Sequence, residues 1–89
     1  MKIKQGFIIE KVADSYLAIA VGDLAADFKS LVKLNDTSAF LWRCLEAEDV
    51  SLEELAARLV GEYGIDSALA LRDAERFVKV LQENGIVDN

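Results

Sequence analysis

The apolar residues of this chain change their spacing once, at Leu34–Asn35, and that change limits the folds open to it. Before it they recur at strand spacing; after it they recur at helix spacing. A side-chain period of two fits a pleated strand and a period of 3.6 fits a helix, so the strands should come first and the helices second. The junction, Phe28-Lys-Ser-Leu-Val-Lys-Leu-Asn-Asp-Thr-Ser-Ala-Phe-Leu-Trp42, reads as a last strand, Lys29 to Leu34, running directly into a capped helix. Asn35 suits the N-cap, because its side-chain oxygen can accept from the free N–H groups of the first turn. Asp36 adds negative charge at the positive end of the helix dipole.

Two earlier runs, Phe7–Val12 and Tyr16–Val21, are rich in β-branched and aromatic residues, and Ala13-Asp14-Ser15 between them supplies turn chemistry. They predict a hairpin. In its second arm Leu17, Ile19 and Val21 share one face, and Tyr16, Ala18 and Ala20 share the other. The first arm is apolar on both faces, which suits a central strand or one whose outer face is covered. Gly22 should end the second arm, and Gly22–Asp27 reads as a short helical turn or a loop. If the strands follow one another as a meander, the third lies at an edge with its outward backbone groups unpaired. Lys29 and Lys33 would then keep that edge from pairing with copies of itself.

Three helices follow. The first spans about Asp36 to Glu46, with Phe40, Leu41, Cys44 and Leu45 as its buried stripe and Trp42 on the flank. Ser51-Leu-Glu-Glu54 has the form of a capping box and opens the second. Leu52, Leu55, Ala56, Leu59, Val60 and Tyr63 make its stripe, and Gly64 ends it as a left-handed cap. Asp66 caps the third, which runs to about Asn84 with Ala70, Ala74, Phe77 and Leu81 toward the core. Leu71 and Val78 lie on one flank of that helix and Leu69 and Val80 on the other, so its apolar arc is wider than a core stripe needs. Gly85 follows the helix, and Ile86-Val87 should fold the tail back. The order βββααα, a three-stranded antiparallel sheet followed by three helices, is a winged-helix-like α+β plan. At 89 residues, without proline, repeats or low-complexity stretches, residues 1–89 are expected to form one domain.

Composition removes several classes of function. There is no histidine, so Ser-His and Cys-His pairs and the usual zinc ligands are missing. The single cysteine, Cys44, cannot form an intrachain disulfide, and at a helical core position it reads as a small apolar residue with no basic neighbour to activate it. Glu53, Glu54, Glu62, Asp73, Glu75 and Glu83 read as solvated helix faces, since nothing points to the burial that acid–base chemistry requires. No catalytic site, metal or cofactor is therefore expected. The net charge is −6 and uneven: residues 1–34 sum to +1 and residues 35–89 to −7. An acidic helical half repels phosphate and argues against nucleic acid. Gly61-Glu-Tyr-Gly64 matches a G-x-x-G loop as text, but Glu62 would oppose a phosphate, and a helix end explains it. Arg72, Arg76 and Lys79 could form a DNA-reading face, yet Asp73, Glu75 and Glu83 share their helix. No membrane span or signal peptide is evident, which makes a cytoplasmic protein the expectation.

Two features remain unassigned: an edge strand at Lys29–Leu34 and a third helix with surplus apolar width. A free strand edge beside a helix groove suits an extended peptide. Such a guest adds a strand through main-chain hydrogen bonds while its side chains enter the groove.

The run Leu31-Val-Lys-Leu-Asn-Asp-Thr-Ser-Ala-Phe-Leu-Trp42 resembles the strand-then-L-N-x-T-(G/A)-x-x-L-W core of PqqD-like proteins. Ser51-Leu-Glu-Glu-Leu-Ala56, Tyr63-Gly-Ile65 and Asp73-Ala-Glu-Arg-Phe-Val-Lys-Val-Leu-Gln-Glu-Asn-Gly-Ile86 are similar to the same family, with Ser38 where it often has glycine. Each motif alone is a cap or a core residue; their joint order covers nearly the whole chain. The resemblance implies a RiPP recognition element, a non-catalytic domain without a cofactor that binds the leader of a ribosomally made precursor peptide. It would present that precursor to a modifying enzyme, often a radical SAM enzyme. Carried onto this chain, the leader pairs with Ser30, Leu31, Val32, Lys33 and Leu34. It packs on one flank of the third helix, for which Leu71, Glu75, Val78 and Gln82, rimmed by Arg72 and Lys79, are the expectation. The alternatives are a small winged-helix-type DNA-binding regulator and a homodimerisation module that uses the same edge.

Overall fold

A computed structural model describes residues 1–22 and 32–87. The elements are β1 (Phe7–Val12), β2 (Ser15–Ala20), β3 (Val32–Leu34), α1 (Asp36–Ala47), α2 (Leu52–Tyr63) and α3 (Ser67–Glu83). The βββααα order and the α+β class are as the spacing predicts. The sheet is antiparallel with strand order β1-β2-β3. The expected positions 29–31 of the third strand, and most of the Gly22–Asp27 connection, lie outside the described residues.

The β1–β2 hairpin closes on Ala13 and Asp14, with Val12 opposite Ser15. Ala13 has φ of +55°, in the left-handed region that ordinarily favours glycine or asparagine. Among the described residues β2 is the central strand and β1 an edge, so the doubly apolar pattern of β1 does not mark a central position there. Register puts Ile8 beside Ile19 on the outer face, where Ile8 stays 37% exposed. On the inner face Ala18 is fully buried and Ile9, Tyr16 and Ala20 pack against the core. Lys11 and Arg43 approach the Tyr16 ring, 5.8 and 5.4 Å from its centroid.

The helix ends form where the local chemistry places them. Asn35 Oδ1 accepts from the Ser38 N–H at 2.8 Å. Ser51 Oγ accepts from the Glu54 N–H while Glu54 returns the favour to the Ser51 N–H, the reciprocal capping box. Gly64 takes φ +64°, and its N–H donates to the Val60 carbonyl at 2.9 Å. Asp66 accepts from the Ala68 and Leu69 N–H groups. After Gly85, Ile86 and Val87 turn into the core, and Val87 forms a bridge with Ile3.

One buried cluster joins the inner sheet face to all three helices. Trp42 lies in it with no exposed surface rather than on the flank of α1, while Phe40 takes the outer position and meets Tyr63 edge to face at 5.7 Å. Tyr63 itself is exposed. Cys44 is buried as expected, but it does have a basic neighbour. Arg58 pairs with Glu48 and also lies against Cys44, and together they raise the guanidinium pKa.

Candidate functional site

The constraint on the site comes from β3. β2 flanks it on one side, and among the described residues no strand flanks it on the other. Val32 and Leu34 point into the core and Lys33 away from it, as strand alternation requires. β3 leads into α1 through the Asn35 cap, so the open edge, the first turns of α1 and the middle of α3 meet at one corner.

A groove of about 230 Å³ occupies that corner. Lys33 and Leu34 of β3, Asn35, and Thr37, Ser38 and Leu41 of α1 form one wall. Asp73, Arg76, Phe77 and Val80 of α3 form the other. These four are spaced i, i+3, i+4 and i+7, hence on one helix face. Phe77 is also part of the core, whereas Val80 is 37% exposed. Lys33, Asp73 and Arg76 are in no ion pair with a described residue. A second depression, bordered by Asp14, Ser15 and Lys33 to Asp36, lies between the hairpin turn and the start of α1. Among the described residues no cluster of cysteine and carboxylate side chains could hold a metal ion.

The sequence-derived site is divided by the structure. Ser30 and Leu31 lie outside the described residues. Val32, Lys33 and Leu34 form β3, and the last two border the groove. On α3 the groove takes the other flank from the expected one. Leu71, Arg72, Glu75, Val78, Lys79 and Gln82 do not line it. Leu71 instead faces a separate, mainly apolar cleft of about 390 Å³ against α2, with Ala56, Ala57 and Val60 opposite. Val78 is buried in the core, so it is not the surplus apolar residue it resembled. Arg72, Glu75, Lys79 and Gln82 are solvent-exposed. The groove residues that sequence reasoning passed over are Thr37, Ser38, Leu41, Asp73, Arg76, Phe77 and Val80. The available signal was Leu69 and Val80 on the opposite flank. Their exposures of 40% and 37% match the 39% of Leu71, so apolar character alone could not choose between the sides.

The fold and the groove together define a small winged-helix-like α+β module with an open strand edge beside a helix. The family model for coenzyme PQQ synthesis protein D (PqqD) matches residues 24–87, well over half of the chain. The chain belongs to the PqqD family. Two solved structures share the fold. The structure of TbiB1 in complex with the TbiA(beta) leader peptide superposes with a TM-score of 0.75 at 19% identity, covering 100% of this chain and 96% of that one. Lasso peptide synthetase B1 complexed with the leader peptide gives 0.74 at 22% identity, covering 99% and 96%. Comparison with curated protein sequences yields no match.

Proposed function

We propose that residues 1–89 form a peptide-recognition domain that binds the leader of a ribosomally synthesised precursor and presents it to a modifying enzyme, of the radical SAM type. The leader adds to the free side of β3 as a further antiparallel strand, and alternate side chains enter the groove against α3. The observation that carries this reading is the coincidence of a strand with no described neighbour on one side and a partly apolar groove beside that side. Membership of the PqqD family supports it, as does a fold shared with two proteins that were solved with leader peptides. The domain works by binding, without a cofactor and in the cytoplasm. Main-chain pairing supplies affinity with little regard to sequence, and the groove supplies discrimination.

The test is a titration of 15N-labelled protein with the leader peptide encoded near its gene. Amide signals of residues 32–34 and of Asp73–Val80 should shift together. Shifts confined to α2 and the far face of α3 would remove the proposal. Self-pairing through β3 would instead appear as concentration-dependent size-exclusion, and a DNA-binding regulator as a salt-sensitive gel shift.

A further inference from the structure

The groove beside β3 carries charge that the fold leaves unanswered. Arg76 and Lys33 border it with Asp73, and none of the three is in an ion pair with a described residue. The chain carries a net charge of −6, yet the groove lining holds two cations and one carboxylate. The corner is thus locally cationic on an acidic body.

Arg76 and Val80 stand one turn apart, about 6 Å along the helix axis. In an extended strand, side chains two residues apart point the same way and lie about 6.6 Å apart. A guest strand lying along α3 therefore matches this spacing: one inward side chain meets Arg76 and the next reaches Val80 and Phe77. We infer that the guest peptide carries an acidic side chain two residues from an aliphatic or aromatic one, with the carboxylate on Arg76 and the apolar group on Val80 and Phe77. This rests on the peptide-adaptor reading above. A guanidinium can take a carboxylate through two parallel hydrogen bonds, which gives geometric selectivity as well as attraction. Asp73 lies on the other side of Arg76 from Val80, so a guest slipped toward it brings two carboxylates together. The three side chains in the order Asp73, Arg76, Val80 thereby select one register. Main-chain pairing alone cannot do this, since every slip of two residues restores the same ladder.

The test uses a random dodecapeptide library displayed on phage, selected against the full chain and against Arg76→Glu. Arg76 is exposed, so the reversal leaves the core intact, and a thermal melt of the variant checks this. Peptides that shift the amide signals of residues 32–34 are then sequenced and synthesised. Those from the wild-type protein should carry Asp or Glu two positions from an apolar residue. Those from Arg76→Glu should carry Lys or Arg there and keep the apolar residue. A wild-type-selected peptide should bind Arg76→Glu about tenfold more weakly and recover when its own acid is replaced by lysine. β3-binding peptides without an acid at that spacing, or with equal affinity for both proteins, would overturn the inference and leave the adaptor reading standing. If no selected peptide perturbs β3, the adaptor reading fails and this inference with it.

Discussion

Trp42 offers the sharpest test of the core. Its side chain is fully buried, yet its indole N–H meets no hydrogen-bond partner among the described residues. A desolvated donor left unpaired costs about 1–3 kcal/mol. Trp42→Phe removes that donor. It also removes part of the ring, leaving a void of a few tens of Å³, which costs about 1 kcal/mol at ~24 cal/mol per Å³ before the smaller transfer loss is added. The two effects oppose each other, so the variant should lie within about 1 kcal/mol of the parent, a Tm change of at most roughly 4–8 °C for a chain this short. Trp42→Ala has no such offset beyond the donor and should lose about 3–5 kcal/mol. Urea unfolding followed by far-UV circular dichroism measures both, since Trp42 is the only tryptophan and its fluorescence disappears with it. A loss of 3 kcal/mol or more for Trp42→Phe would show that the N–H is bonded and that the reasoning is wrong.

Four further outcomes are expected. Ser51→Ala breaks the capping box at the start of α2 and should cost about 1 kcal/mol in urea unfolding, with no effect on peptide binding. Asp49 accepts from the Met1 ammonium, which holds its carboxyl below the ordinary 3.8. A depressed folded pKa stabilises above the unfolded value and is lost as pH falls through the folded one, so Asp49→Asn should lower Tm slightly at pH 7, the pair being exposed, and converge with the parent as the pH drops below the ordinary 3.8. Strand alternation aims the N–H groups of Val32 and Lys33 to opposite sides, so of Val32→Pro and Lys33→Pro one should unpair β2 and lower Tm while the other spares the fold and abolishes peptide binding; equal behaviour of both in calorimetry and titration would refute the strand-addition geometry. Val80→Ser should weaken peptide binding several-fold by fluorescence anisotropy whereas Leu71→Ser should not, and the reverse ranking would return the site to the flank that faces α2.

What could be read from sequence follows the range of the interactions involved. The caps at Asn35, Ser51, Gly64 and Asp66 are contacts within four residues, so their chemistry is complete in a short window. The period change at Leu34–Asn35 likewise needs no knowledge of the partner layer. Trp42, β1 and the flanks of α3 are different. The burial of Trp42 depends on which elements close around α1, and the edge position of β1 depends on where β3 returns. The choice between Val80 and Leu71 depends on which side of α3 receives the corner between β3 and α1. Helical periodicity shows that both flanks of α3 are apolar; only the approach of α1 on one side and α2 on the other distinguishes them.

The pairing of Ile3 with Val87 has a consequence for how the module can be carried. The Ile3 N–H donates to the Leu45 carbonyl, so the first and last paired segments sit at the C-terminal half of α1. The groove lies at the other half, beside Thr37 and Ser38. From Ser38 to Leu45 the helix advances about 10 Å. A segment joined ahead of Ile3 and one joined after Val87 would start from a common anchorage, at the opposite end of α1 from the groove. On the peptide-binding reading proposed above, the groove would stay open to its guest in such a fusion.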